Sequence, residues 1–168
     1  MIVHTKMKAQ KTVKNLKVKN LKIALAESIT GGLIAKTITD VPGASRVFEY
    51  GWVAYSNQAK NKILGVPLKT LEKYGSVSKE TTSSMVRGAK NKSGADITVA
   101  VTGFAGPEAP KKSDRCKVFI AVLADKHFKI LEKKFKGNRE EIRAQTCDTA
   151  LSLIDEVIRG GKNGRKTK

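Results

Sequence analysis

The sequence is poor in the residues that most often build redox and metal centres. It contains two Cys and two His among 168 residues, and aromatic residues make up only 5% of the chain. Cys116 and Cys147 have neither the CxxC spacing of a redox or zinc motif nor the pattern of a disulfide framework, so we predict reduced thiols. Because only His4 and His127 are available besides, we expect no metal site.

Long apolar runs are also missing. No stretch approaches the roughly 20 residues that cross a bilayer, and the first residues lack the hydrophobic segment of a secretory signal. We therefore expect a cytoplasmic protein without a membrane partner. A length of 168 residues suits one domain with a sizeable core and leaves no room for a second.

Acidic residues are absent from both ends of the chain, although the protein carries a net charge of +18. Residues 1–22 and 159–168 together contain twelve of the 33 Lys and Arg residues and neither Asp nor Glu. Such ends predict non-specific attraction to nucleic acid. They lack the aromatic residues that stack on bases, and Lys far outnumbers Arg, so a general drift of composition toward Lys is the alternative explanation.

Strand-like and helix-like segments alternate along the middle of the chain. The patterns predict strands at residues 21–26, 47–55, 97–101, 118–124 and 129–135, and helices at 32–39, 58–64, 79–92 and 139–158. Interleaved strands and helices predict an α/β fold, a three-layer α/β/α sandwich with a mixed sheet in a single domain. We expect residues 1–20 to be a basic leader, partly helical or disordered, and residues 160–168 to be a disordered tail.

Caps and turns mark several of these boundaries. Ser78 is expected to cap the helix at residues 79–92, which Gly94 ends, and Asn138 is expected to cap the last helix. Residues 125–127 are expected to form the turn of a hairpin, which places His127 in solvent.

Two Gly-flanked hydroxyl motifs each follow a strand-like run. The first spans residues 26–32 (AESITGG) and the second spans residues 101–107 (VTGFAGP). Gly31 and Gly32 would let a ligand approach bare backbone N–H groups at a helix N-terminus, which attracts anions. If the two strands are parallel neighbours, both loops share one edge of the sheet, where open α/β sheets usually bind ligands. Two ordinary strand-to-helix turns are the alternative.

Ser28 in the first motif is a candidate nucleophile, and a Ser nucleophile needs a base. The usual His is scarcely available, because His4 lies in the leader and His127 in the expected turn. Lys60 is the remaining candidate. It becomes a base when burial or neighbouring positive charge favours the neutral amine. The alternative for Lys60 is a solvated helix Lys, since Lys is rarely buried.

Four further polar residues lie near these segments. Arg139 and Arg143 are four residues apart and project from one face at the start of the last helix. Cations oppose the positive end of the helix dipole, so an anionic partner such as a phosphate explains them better than stability does. Pairing with surface acids is the alternative. For Tyr55 and Asn57, strand packing and helix capping are the alternatives to a binding role.

At these residues the sequence resembles the C-terminal domain of the competence/damage-inducible protein CinA, which also occurs alone as nicotinamide mononucleotide amidohydrolase. The similarity covers residues 21–159. It rests on the ordered motifs AES-x-TGG at 26–32, DVPGAS at 40–45, YSN-x-x-K at 55–60, LGV at 64–66, G-x-VS at 75–78, SGAD at 93–96, AVTG-x-AGP at 100–107 and G-x-R-x-x-x-R at 137–143. So many motifs in order make the similarity specific.

The resemblance implies hydrolysis of the carboxamide of nicotinamide mononucleotide, which gives nicotinic acid mononucleotide and ammonia without a metal or cofactor. It implies Ser28 as the nucleophile and Lys60 as the general base. It further implies a substrate-binding set that consists of Thr30, Gly31, Gly32, Tyr55, Asn57, Thr102, Gly103, Arg139 and Arg143. The family is usually dimeric, so we expect a homodimer.

Two segments depart from the family pattern. After Ala-Gly-Pro the family continues with glycines and a Lys-Pro-Val-Gly element, whereas this chain has EAPKKSDRCK at residues 108–117. Glu108, Ala109 and Pro110 narrow the backbone conformations of this loop, and Cys116 stands where the family's strand-entry Gly falls. The Lys-rich leader replaces the usual N-terminal helix. The alternatives to the amidohydrolase are therefore a family member that binds a nucleotide without turnover and a basic nucleic-acid-associated protein.

Overall fold

The strands and helices alternate much as the apolar pattern predicts. The computed structural model describes residues 2–106, 109, 111–125 and 127–160. Within these residues the elements are α1 (Ile2–Val18), β1 (Ile23–Glu27), α2 (Leu33–Thr39), β2 (Phe48–Val53), α3 (Asn57–Leu64), α4 (Leu68–Tyr74), α5 (Lys79–Ser93), β3 (Ile97–Gly103), β4 (Lys117–Ala124), β5 (His127–Lys134) and α6 (Arg139–Gly160), with short 3-10 turns at Ala44–Arg46 and Lys112–Asp114. None of the helices in these residues is long and apolar enough to cross a membrane.

The five strands form one mixed sheet in the order β2-β1-β3-β4-β5. β1 runs parallel to both β2 and β3, whereas β4 is antiparallel to β3 and β5. Glu27, at the end of β1, lies between Val53 of β2 and Val101 of β3. The carboxyl ends of the three parallel strands therefore meet at one edge of the sheet, as the sequence motifs predict.

Helices cover both faces of the sheet. α1, α2 and α6 pack on one face around a core that includes Ile23 and Leu25 of β1, while α3, α4 and α5 enclose a smaller core with Ala26 of the same strand. Burial on both faces explains why β1 is apolar except for its last residue, Glu27. The predicted three-layer α/β/α sandwich is confirmed.

The basic N-terminal segment differs most from its prediction. Residues expected to be a leader, partly helical or disordered, form the 17-residue helix α1. Ala9, Val13 and Leu16 lie at helical spacing and are fully buried against α2 and α6. Buried Thr12 Oγ1 donates a hydrogen bond of 3.0 Å to Asp155 Oδ1 in α6. Among the many Lys residues of α1, Val13 and Leu16 were the signal available in the sequence for a docked helix. Of the predicted disordered tail at 160–168, Gly160 is instead the last residue of α6, and residues 161–168 lie outside the described residues.

The predicted helix caps are confirmed. Ser78 Oγ accepts the N–H of Thr81 at 3.1 Å, and Gly94 ends α5 in the left-handed conformation. Asn138 Oδ1 accepts the N–H of Glu141 at 3.0 Å, and Glu141 Oε2 accepts the N–H of Asn138 at 2.8 Å. This reciprocal pair, a capping box, fixes the start of α6.

Some element boundaries were wrong. The sequence analysis missed α4, which begins directly after Pro67. It placed Thr102 and Gly103 in a loop, whereas pairing with β4 extends β3 through both residues. It placed His127 in a turn, whereas His127 is the first residue of β5 and pairs with Ala124. At Thr102 and Gly103, pairing with a later strand overrode the local pattern, whereas His127 pairs within a hairpin turn tighter than predicted.

Candidate active site

Ser28 and Lys60 lie together at the carboxyl edge of the parallel strands. Ser28 follows β1 directly, and Lys60 lies in the first half of α3. Lys60 Nζ lies 3.0 Å from Ser28 Oγ and 3.0 Å from the carbonyl oxygen of Tyr55. Only 1% of Lys60 and 8% of Ser28 are exposed. The solvated-lysine alternative is therefore excluded for Lys60, and the pair has the geometry that proton transfer requires.

The start of α3 directs Lys60 toward Ser28. Ser56 caps the helix, because its Oγ accepts the N–H of Ala59 at 3.0 Å. The end of α3 lies against α5 at Gly88, where a Cβ would stand 1.8 Å from the carbonyl oxygen of Leu64. Only glycine permits this approach, so Gly88 allows α3 to carry Lys60 over the sheet edge. The sequence analysis did not identify Gly88.

Burial changes the acidity of the Lys60 ammonium. Desolvation lowers the pKa of Lys60 from the ordinary 10.5 to about 8. In a minority of the molecules, on the order of a tenth at pH 7, Lys60 is then a neutral amine. A neutral amine within hydrogen-bond distance of a hydroxyl can accept its proton, whereas an ordinary surface Lys stays protonated.

Glu27 is a site residue that the sequence analysis missed. Its carboxylate is 2% exposed and turns back onto the start of α2. One oxygen accepts the N–H groups of Gly32 at 3.0 Å and Ile34 at 3.2 Å, and the other accepts the N–H of Ala35 at 2.8 Å. The carboxylate thus occupies the positive end of α2. A lone acidic residue at the end of an apolar strand was the available signal.

The engaged N–H groups change the expected role of the two glycines. Gly32 donates to Glu27, and Gly31 donates to the carbonyl oxygen of Ser28 at 3.1 Å. The expectation that both present bare N–H groups to a ligand is therefore wrong. Both have positive φ, 58° at Gly31 and 92° at Gly32, which explains the glycines as the residues that let the chain turn from β1 into α2.

Arg143 holds the same loop from α6. Its Nε and Nη2 donate to the carbonyl oxygen of Thr30 at 3.1 Å and 2.7 Å. The guanidinium lies over Gly31, where a Cβ would stand 3.2 Å from Nη2. The side chain of Thr30 is fully buried, and its Oγ1 has no hydrogen-bond partner in the described part of the chain. Arg143 therefore contacts protein backbone at the Ser28 loop.

The second hydroxyl motif packs against the first. Buried Thr102 Oγ1 lies 2.8 Å from Thr82 Oγ1 in α5, so its hydroxyl already has a partner. A Cβ at Gly103 would stand 2.6 Å from Ile29 Cδ1 and 2.8 Å from Val118 Cγ2. Side chains of this protein, rather than a ligand, therefore fill the space next to Gly103. The sequence analysis found Thr102 but missed its partner, Thr82.

The remaining predicted site residues lie at the surface. Tyr55 is 62% exposed, and its carbonyl oxygen rather than its side chain contacts Lys60. Asn57 is exposed at the first position of α3, where Ser56 is the cap. Arg139 begins α6, and its Nη2 would lie 3.3 Å from a Cβ at Gly106. Glu108 and Pro110 lie outside the described residues.

Comparison with known proteins identifies the family. The family model described as the CinA C-terminal domain matches residues 5–158. The chain belongs to the CinA C-terminal domain family. The match begins inside α1, which places that helix within the CinA domain.

Several relatives share this CinA domain. A CinA-like protein of Geotalea daltonii is 47% identical over 133 residues, which cover 79% of this chain and 32% of the relative. The crystal structure of the competence/damage inducible protein CihA from Agrobacterium tumefaciens is 35% identical and has a TM-score of 0.89, with 92% of this chain and 95% of that chain covered. The competence damage-inducible protein A from Klebsiella pneumoniae is 26% identical, with a TM-score of 0.91 and coverage of 94% and 99%. The chain spans about a third of the length of the curated CinA relatives it matches.

The described residues offer no obvious place for a metal. No group of three His, Cys, Asp or Glu side chains comes together in them. The chemistry available at the CinA site is that of a Ser hydroxyl, a Lys amine and backbone N–H groups.

Proposed function

We propose that this protein is an amidohydrolase that converts nicotinamide mononucleotide to nicotinic acid mononucleotide and ammonia. The observation that supports this function is the 3.0 Å contact between Lys60 Nζ and Ser28 Oγ, together with the pKa of Lys60 of about 8. A Ser hydroxyl beside a partly neutral Lys is an activated nucleophile. The substrate is the one that the resemblance to the family implies.

Ser28 and Lys60 perform each proton transfer in the proposed reaction. Neutral Lys60 accepts the Ser28 proton while Oγ bonds to the carboxamide carbon and the carbonyl π electrons move to oxygen. The tetrahedral intermediate collapses, the C–N bond breaks, and the Lys60 ammonium gives its proton to the amide nitrogen, which leaves as ammonia. Water, deprotonated by Lys60, then attacks the ester on Ser28. The acid product is released and Lys60 returns the proton to Ser28 Oγ.

Backbone N–H groups next to Ser28 can stabilise the developing oxyanion. The N–H groups of Ile29 and Thr30 form no hydrogen bond to the described residues, in contrast to those of Gly31 and Gly32. The N–H that follows the nucleophile is a frequent oxyanion donor in serine hydrolases. We assign Ile29 and Thr30 this role, with Arg143 keeping the loop in place through the Thr30 carbonyl.

A family member that binds the nucleotide without turnover is the second candidate. The observation that favours it is the backbone of Cys116, which has a φ of 61° where the family usually has glycine. A strained residue beside the site can misplace a bound substrate. An assay of ammonia release combined with a measurement of nucleotide binding separates this candidate from the amidohydrolase.

Incubation of the purified protein with nicotinamide mononucleotide, followed by measurement of ammonia and nicotinic acid mononucleotide, tests the proposal. We expect turnover, and Ser28→Ala should lower kcat by at least about 1,000-fold because it removes the nucleophile. Ser152→Ala, an exposed Ser on α6, is the matched control and should retain activity.

Full turnover by Ser28→Ala would rule out the assigned nucleophile. If the unaltered protein releases no ammonia but binds the nucleotide in calorimetry, the non-catalytic binder is correct.

A further inference from the structure

Two arginines from different segments line one cavity between the segment that follows β3 and the start of α6. Arg115 precedes β4, and Arg139 begins α6. The cavity has a volume of about 420 Å³, and its wall also includes Gly106 and Cys116. Both arginines are exposed, and neither guanidinium forms an ion pair or hydrogen bond with the described residues, although the backbone N–H of Arg115 donates to the carbonyl oxygen of Lys112. The cavity therefore has two guanidinium groups with free donors.

The nearby carboxylates of the described residues do not pair with these arginines. Asp114 pairs with Lys117 at 2.9 Å, and that hydrogen bond lowers the pKa of Asp114. Glu141 accepts the N–H of Asn138 in the capping box, and Glu140 lines a different cavity between α1 and α2. The positive charge of Arg115 and Arg139 is thus not neutralised by the acids beside them in the sequence.

Two elements link the wall of the cavity to the Ser28 loop. Arg143 contacts Thr30, two residues after Ser28, and Arg139 stands one helical turn earlier, about 6 Å along the helix axis. Gly103 packs against Ile29 of the Ser28 loop, and Gly106, a little further along the same segment, lies next to Arg139. A ligand with its reacting group at Ser28 can therefore extend into the cavity between the loop and α6.

We propose that Arg115 and Arg139 form a subsite for a phosphate monoester, which holds the phosphate end of the substrate while its carboxamide lies at Ser28. This inference rests on the proposed function. It adds Arg115, which lies outside the motifs shared with the family. Two guanidinium groups suit a phosphate because each can donate two parallel hydrogen bonds. Arg143, whose donors are directed to Thr30, is a positioning residue for the Ser28 loop.

Comparison of a phosphorylated with an unphosphorylated substrate tests the subsite. Arg115→Met and Arg139→Met should each lower kcat/KM for nicotinamide mononucleotide by about 10-fold to 100-fold, the range of a charge-assisted hydrogen bond. Neither should change kcat/KM for nicotinamide riboside, which lacks the phosphate. Arg159→Met, an exposed Arg at the end of α6, is the control and should change neither value. Equal losses on both substrates, or no loss on either, would overturn the subsite.

A second experiment does not require turnover. Cys116 is half-buried in the wall of the cavity, whereas Cys147 is buried and burial raises the pKa of its thiol to about 11. Iodoacetamide should therefore alkylate Cys116 first. Ribose 5-phosphate should slow this alkylation, ribose should not, and the protection should be lost in Arg115→Met and Arg139→Met.

The two experiments distinguish failure of the subsite from failure of the proposed function. Protection by ribose 5-phosphate in a protein that releases no ammonia would support the subsite and reject the amidohydrolase. Ammonia release without any protection, and with unchanged kcat/KM in both arginine variants, would support the amidohydrolase and reject the subsite.

Discussion

The segments that follow β1 and β3 leave the same edge of the sheet but are held in different ways. The Ser28 loop, residues 28–32, is fixed from three sides by the carboxylate of Glu27, the ammonium of Lys60 and the guanidinium of Arg143. In the segment that leads from β3 to β4, Arg115 makes no ion pair with a described residue and Cys116 has a positive φ. The side chains around the first segment are thus fixed by hydrogen bonds, while the Arg115 side chain in the second is available to a ligand.

The cations beside the two segments also differ in their environment. Lys60 is buried, so its charge is costly and its pKa falls to about 8. Arg115 and Arg139 are exposed beside a cavity and carry guanidinium groups. A titrating amine suits proton transfer, whereas permanent cations suit the binding of an anion. This difference supports the proposed proton-transfer role of Lys60 and the proposed anion-binding role of the two arginines.

Replacement of the buried amine should have the largest effect. Lys60→Met removes the proposed base with little change in shape, and we expect kcat to fall by at least about 100-fold. In the unaltered protein kcat should rise as the pH increases through the Lys60 pKa of about 8, because the neutral amine is the active form. Initial rates of ammonia release across this range measure both effects. Lys62→Met, on the same helix, is the control.

The same residue should make stability depend on pH. The pKa of Lys60 is about 8 in the folded protein and 10.5 in the unfolded chain, so the unfolded chain binds more protons between these values. The free energy of unfolding should therefore increase as the pH rises from 8 to 10.5, by up to roughly 3 kcal/mol. Urea unfolding of Lys60→Met should lack this rise. A rise of equal size in the variant would contradict the buried, partly neutral amine.

Loss of the Glu27 carboxylate should have the next largest effect. Glu27→Gln replaces one acceptor oxygen by an amide NH₂ that faces backbone N–H groups of α2. We expect the free energy of unfolding in urea to fall by about 3 kcal/mol, because a buried, charge-assisted network is broken. Glu49→Gln, which breaks a half-exposed ion pair with Lys22, is the control and should cost less than about 1 kcal/mol. Equal effects of the two variants would show that Glu27 does not organise the loop.

The sequence predicts the three layers of the fold and the Ser28 and Lys60 motifs better than it predicts the contacts that hold these parts in place. Apolar runs and caps predict β1, α5 and α6 because these signals are local. Ser28 and Lys60 are recognisable from their motifs. The folding of Glu27 onto α2 spans only a few residues, and a lone acid at the end of an apolar strand was its one signal. Arg143, in contrast, reaches a carbonyl oxygen 113 residues away in the chain, and such a contact depends on tertiary packing, which a single sequence does not display.

Relief of the strained backbone at Cys116 should have the smallest effect. An L residue with a φ of 61° costs about 1 kcal/mol or more, and glycine removes this cost while adding about 0.5–1 kcal/mol of unfolded-chain entropy. Cys116→Gly should therefore raise the free energy of unfolding by no more than about 1 kcal/mol. Cys116→Ala, which keeps the Cβ, should give no such gain. If glycine and alanine change stability equally, the segment before β4 is not strained, and its difference from the Ser28 loop lies in its unpaired charges alone.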